Sequence, residues 1–81
     1  MLDIEMQEVS SSNISAIGYD VEEMILRIEF NTGRTYDYED VPEYVYENLE
    51  NADSIGSYFY KHIRNNYEGK EITEELEEDD E

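Results

Sequence analysis

No cysteine occurs in the 81 residues, so the chain holds no disulfide framework, no thiolate metal site and no cysteine nucleophile. Histidine is nearly as scarce. His62 stands alone, without a second ligand or a nucleophile at a spacing that would make it catalytic. The serines form no Ser-His-acid arrangement. No apolar run approaches the roughly 18 residues that a membrane-spanning helix needs, and nothing after Met1 has a signal-peptide pattern. A soluble cytosolic protein is therefore expected. The acids show no EF-hand spacing, there are no internal repeats, and neither a metal nor a cofactor is implied. Positive charge is the most consequential shortage: five Lys and Arg face twenty-three Asp and Glu, a formal net charge of −18. Affinity for polyphosphates comes largely from Lys and Arg neutralising phosphates, so this balance opposes nucleic acid and anionic lipid and favours a basic partner.

What is present fits one domain with one modest core. The hydrophobic fraction of 38% includes eight tyrosines, whose rings bury while their hydroxyls stay wet. Asn13 to Tyr19 has the pattern of a strand, with Ile14 and Ala16 on one face and Ile17 and Tyr19 on the other. From Met24 to Phe30, Met24, Leu26, Ile28 and Phe30 alternate with Ile25, Arg27 and Glu29, the period of a half-buried strand. Asn31-Thr32-Gly33 suits a tight turn with Gly33 in the left-handed position, and Arg34 to Tyr38 returns as a third strand. The period then changes. Asp40 can cap a helix whose first turn holds Pro42 and Glu43, and Val45, Leu49 and Ala52 fall on one side of it. Ser54 is a second N-cap candidate, followed by Ile55, Phe59, Ile63 and Tyr67 at four-residue intervals until Gly69. The expected fold is α+β: a three-stranded antiparallel meander followed by two helices packed on one face.

Charge divides the chain further. Residues 68–81 hold nine acids and one base, Lys70, and from Glu74 onward Leu76 is the sole apolar residue. Such a stretch cannot bury enough surface to offset the entropy of ordering it. The expected organisation is a folded domain over 8–69 and a disordered acidic tail over 70–81, with the first seven or so residues loose as well.

Several short runs, taken in order, resemble the KTSC domain. They are Ser11-Ser12-Asn13-Ile14, Gly18-Tyr19-Asp20, Tyr36-Asp37-Tyr38, Val41-Pro42, and Ala52-x-Ser54-x-Gly56-x-Tyr58-Phe59. The resemblance spans about Val9 to Tyr67. The family takes its name from a segment at the C-terminus of some lysyl-tRNA synthetases and also occurs as stand-alone bacterial and phage proteins. It implies no established activity; RNA binding is the role its synthetase context implies. Tyr60 departs from the family, which commonly has asparagine after the Tyr-Phe pair, and the acidity departs from what an RNA binder carries.

Two binding surfaces follow from the residues. Tyr36 and Tyr38 lie two apart on a strand, so their rings share a face and could form a stacking platform for RNA bases, or else pack beneath the helices as core. Only Arg27, Arg34, Lys61 and Arg64 could hold a phosphate backbone there. The second surface is anionic. Glu43, Glu47 and Glu50 make a row of carboxylates roughly 6 Å apart on the first helix, with Asp37, Glu39 and Asp40 before it and Asp53 after it. Such a line could imitate a phosphate backbone and occupy the basic groove of a nucleic-acid-binding protein. The expected function is therefore non-enzymatic binding of a basic protein surface, of the kind a phage inhibitor of a nuclease or an RNA-guided defence complex would use. The alternative is an RNA-binding accessory domain working through Tyr36 and Tyr38. Ser11, Ser12 and Asn13 could bond a ligand or simply shape a strand entry, and Ser54 with Gly56 could receive an anion or simply cap a helix.

Overall fold

Residues 3–72 are described by the structure, a computed structural model. They form five strands and two helices: β1 (Met6–Glu8), β2 (Ile14–Asp20), β3 (Ile25–Phe30), β4 (Thr35–Tyr38), α1 (Glu43–Glu50), α2 (Ile55–His62) and β5 (Gly69–Ile72). The strands lie in sequence order in one antiparallel sheet, and the helices are an excursion between β4 and β5 that covers one of its faces. The α+β architecture is as expected, but the meander has five strands rather than three. β1 and β5 escaped the periodicity argument because they are edge strands, short and mostly exposed. Backbone pairing to β2 and β4 holds them rather than burial of an apolar face.

That correction moves both ends of the domain. Ile4, in the stretch expected to be loose, is buried against Gly18, where a Cβ would lie 2.6 Å from the Glu5 carbonyl oxygen. Lys70 to Ile72, expected to begin the tail, complete β5, and Gly69 starts that strand instead of ending a helix. The remainder of the expected tail lies outside the described residues.

The core fills the space between the sheet and the helices. Leu26 and Ile28 of β3, Tyr38 of β4, Val41, Val45 and Leu49 around α1, and Phe59 and Ile63 around α2 are all buried in one cluster with Ile14 and Ile17. Ile14 and Ile17 share that face although an uninterrupted strand would place them on opposite ones. A register shift between Ile14 and Ala16 makes Ser15 an extra residue against β3, and the bulge reverses the alternation. Ala16 consequently points to the face away from the helices. The β3–β4 turn is as expected, with Gly33 at φ 96°.

The first helix begins later than the sequence implied. Asp40 does not cap it; Asp40 takes a left-handed conformation (φ 59°), and Pro42 occupies the N-cap position without a side-chain bond. The residue before a proline is held in extended backbone, so the helix cannot start ahead of Pro42. Ala52 lies past its end and is half-buried. Ser54 does cap α2, its hydroxyl accepting from the Ser57 N–H at 3.2 Å. Ile63 is the C-cap, and Tyr67 reaches the core from the turn beyond it.

Candidate functional site

Along α1 the apolar side buries Val45 and Leu49, which leaves the opposite side to water. Glu43, Glu47 and Glu50 are all exposed there, within about 60° of one another around the axis at 100° per residue. Asp40 precedes them and Asp53 follows, both exposed. Among the described residues none of these five carboxylates is ion-paired. No base stands in the last turn of α1, where the helix carbonyls already present negative charge. The bare acidic row is thus a costly arrangement locally, by a few tenths of a kcal/mol for each like-charge neighbour.

Two acids assigned to that surface belong elsewhere. Asp37 is buried on the face of the sheet away from the helices, because it alternates with Tyr36 and Tyr38. There it receives the Arg27 guanidinium at both oxygens: Nε donates to Oδ1 at 2.7 Å and Nη2 to Oδ2 at 3.0 Å, across the β3–β4 pair. Glu39 is half-buried and accepts the Lys70 ammonium of β5 at 3.0 Å. Both are structural partners of the sheet, so neither is available to a ligand as an open charge.

The tyrosine pair also resolves. Tyr38 is 6% exposed and meets Phe59 of α2 edge to face at 5.5 Å, while Tyr36, half-buried, lies against Tyr38 and Phe30. An open stacking platform needs a bare sheet face, and here α2 covers it. Burial pushes the Tyr38 phenol up, its neighbours Tyr36 and Tyr60 add to this, and Arg64 opposes it. Tyr60 is exposed, with Arg64 over its ring at 5.3 Å.

The short polar runs meet at the far end of the sheet. The Ser11 hydroxyl accepts from the N–H groups of Asn13 and Ile14, both at 3.3 Å, and shapes the entry to β2. Asn31 of the β3–β4 turn donates to the Ser12 carbonyl at 2.8 Å, and its N–H donates to the Asn13 carbonyl at 2.8 Å. A Cβ on Gly56 would lie 3.4 Å from the Ser11 hydroxyl oxygen and 3.7 Å from Asn13 Nδ2, so the β2 entry sits against the start of α2. Ser11, Asn13 and Gly56 are brought together here, with Ser54 two residues from Gly56 as the α2 cap; the Ser11 and Ser54 hydroxyls are engaged with backbone N–H groups.

A model of the KTSC domain matches residues 10–67. The chain belongs to the KTSC domain family. A crystal structure of a KTSC domain protein from Yersinia pestis superposes with a TM-score of 0.83 at 38% identity, covering 88% of this chain and all of that one. Similar proteins occur in Stutzerimonas stutzeri (45% identical over 51 residues, 63% of this chain and 72% of the relative) and Tsukamurella paurometabola (47% over 53 residues, 65% and 79%). A lysine–tRNA ligase of Nostoc is 37% identical over 62 residues, which are 76% of this chain but 11% of the ligase.

Within this KTSC domain, the matched residues contain β2 to α2 and exclude both edge strands. The motif residues therefore mark joints of the fold: strand entry, helix cap and aromatic core. His62 is exposed on α2, its ring 4.5 Å from that of Tyr58, and its carbonyl accepts from Asn66, as helical spacing implies. Sequence reasoning did not find the Arg27–Asp37 pair. The available signal was Arg27 in the middle of an apolar strand with one acid, Asp37, at an equivalent depth across the hairpin.

Proposed function

We propose that this KTSC domain is a non-catalytic module that binds a basic protein surface through the exposed carboxylates of α1. The reading rests on one observation: among the described residues Asp40, Glu43, Glu47, Glu50 and Asp53 stand open to water and outside every ion pair, on a chain of net charge −18. Fixed anions on a helix steer and orient a cationic partner without reorganisation. A protein whose groove is built for a polyanion offers the matching surface, and an inhibitor of a nuclease or RNA-guided complex is the instance we infer. The lysine–tRNA ligase relatives raise the other reading, direct RNA binding. Burial of Tyr38 and the excess of acids weigh against it.

Calorimetric titration of the whole chain at physiological salt distinguishes them. The whole chain is needed because β5 is part of the sheet. Lysine- and arginine-rich peptides should bind, and Glu43→Gln/Glu47→Gln/Glu50→Gln should weaken them roughly tenfold, about 0.5 kcal/mol for each exposed charge removed. Tight binding of single-stranded RNA, abolished by replacing Tyr36, would overturn the reading.

A further inference from the structure

Where edge strand β1 meets α1, a shallow depression of about 500 Å³ is lined by Glu5, Met6, Gln7, Tyr19 and Tyr46. Gln7 pairs with Ile17 and so lies on the helix-covered side of the sheet, as does Tyr19. Tyr46 comes from α1 and stacks on Tyr19, with centroids 5.3 Å apart and planes within 14°. Both rings are half-buried. The Tyr19 hydroxyl donates to the Val41 carbonyl at 2.5 Å and fixes the pair in place. Carboxylates flank the ring pair. Burial, then the charges of Glu43 and Asp20, push the Tyr19 phenol up; burial and then the charge of Glu50, one helical turn along α1 from Tyr46, push up Tyr46. Glu5 is exposed at the rim.

We infer that this depression seats one arginine side chain of the basic partner, its guanidinium lying against the Tyr46 ring between the carboxylates of Glu5 and Glu50. The inference rests on the basic-partner reading and adds to it a specific anchor. A ring face attracts a cation through its quadrupole, and flanking carboxylates supply acceptors in the plane of the guanidinium. The planar, weakly hydrated guanidinium stacks on a ring and meets carboxylates by its fork, which the compact ammonium of lysine does not do. The Gln7 side chain adds a neutral acceptor. Neither the acids alone nor the ring pair alone selects arginine; their juxtaposition does.

Hexa-arginine and hexa-lysine are titrated into the whole chain at physiological salt, with backbone amide shifts recorded. Hexa-arginine should bind about two- to fivefold more tightly, the range a half-exposed cation–π contact supplies, and should shift the amides of Glu5, Met6 and Gln7. In Tyr46→Leu that preference should disappear; Tyr46→Phe, which keeps the ring, should retain it. Equal affinity for the two peptides, or arginine-specific shifts away from β1, overturns the arginine seat and leaves the basic-partner reading intact. Absence of binding by either peptide overturns both. The shift map is made on the unaltered chain, so the result stands even where Tyr46→Leu fails to fold.

Discussion

Tyr38 lies over the place where a side chain on Gly69 would go. The two residues are paired across β4 and β5, and a Cβ there would stand 2.5 Å from Tyr38 Cε2. Gly69→Ala must therefore displace a buried ring and is expected to cost about 1–3 kcal/mol in urea unfolding. Gly56 makes the contrast. Its Cβ meets the Ser11 hydroxyl at ordinary contact distance, so Gly56→Ala is expected to be neutral or to stabilise by up to about 1 kcal/mol through helix propensity. If Gly56→Ala loses binding while gaining stability, the motif acts in recognition as well as in packing. For the buried ion pair, Asp37→Asn leaves the Arg27 charge facing a neutral amide and should cost on the order of 3 kcal/mol. It should leave affinity for a basic peptide untouched, since Asp37 lies on the far side of the sheet from the helices.

At the scale of the element, α1 separates stability from binding. Glu47→Lys places a cation four residues after Glu43 and near the helix C-terminus, where the dipole favours it. Thermal unfolding should show a gain of about 0.5 kcal/mol, while affinity for basic peptides should fall. A loss of stability on this change would mean that Glu47 has a structural partner. The same element shows how far the sequence carried. Val45 and Leu49 were legible as its buried side from spacing alone, and so was Ser54 as the α2 cap. The start of α1 was not, because Asp40 has the chemistry of a cap but precedes Val41-Pro42, which holds the backbone extended. The edge strands were illegible for a different reason. Residues in β1 and β5 are held by main-chain bonds to β2 and β4, and those bonds leave no trace in side-chain pattern.

For the whole molecule, charge governs the solution behaviour. Self-repulsion at −18 opposes the compact state, so raising NaCl from about 0.01 to 0.5 M, which shortens the screening length severalfold, should raise the unfolding temperature and weaken basic-peptide binding together. Alkali should act in one direction. Burial raises the phenols of Tyr19, Tyr38, Tyr46 and Tyr67 above the usual value near 10. A raised folded-state pKa gives stability that is complete below the unfolded value and is lost as pH climbs through the folded one. Stability should hold up to about pH 10 and decline above it, with tyrosinate absorbance appearing later in the folded chain than in urea. Coincident titration in the two states would remove this contribution.

Composition and period by themselves determined the class of fold, the two helices over a central meander, most of the core and the sign of the surface, since hydrophobic spacing and net charge are properties of the chain before it folds. Which acids remain open and which are spent on Arg27 and Lys70 was decided only in three dimensions. So were the burial of Tyr38 beneath α2, the reversal of faces at Ser15 and the meeting of Tyr19 with Tyr46. Each depends on strand register and on which face the helices cover, and these are set by contacts between residues distant in sequence.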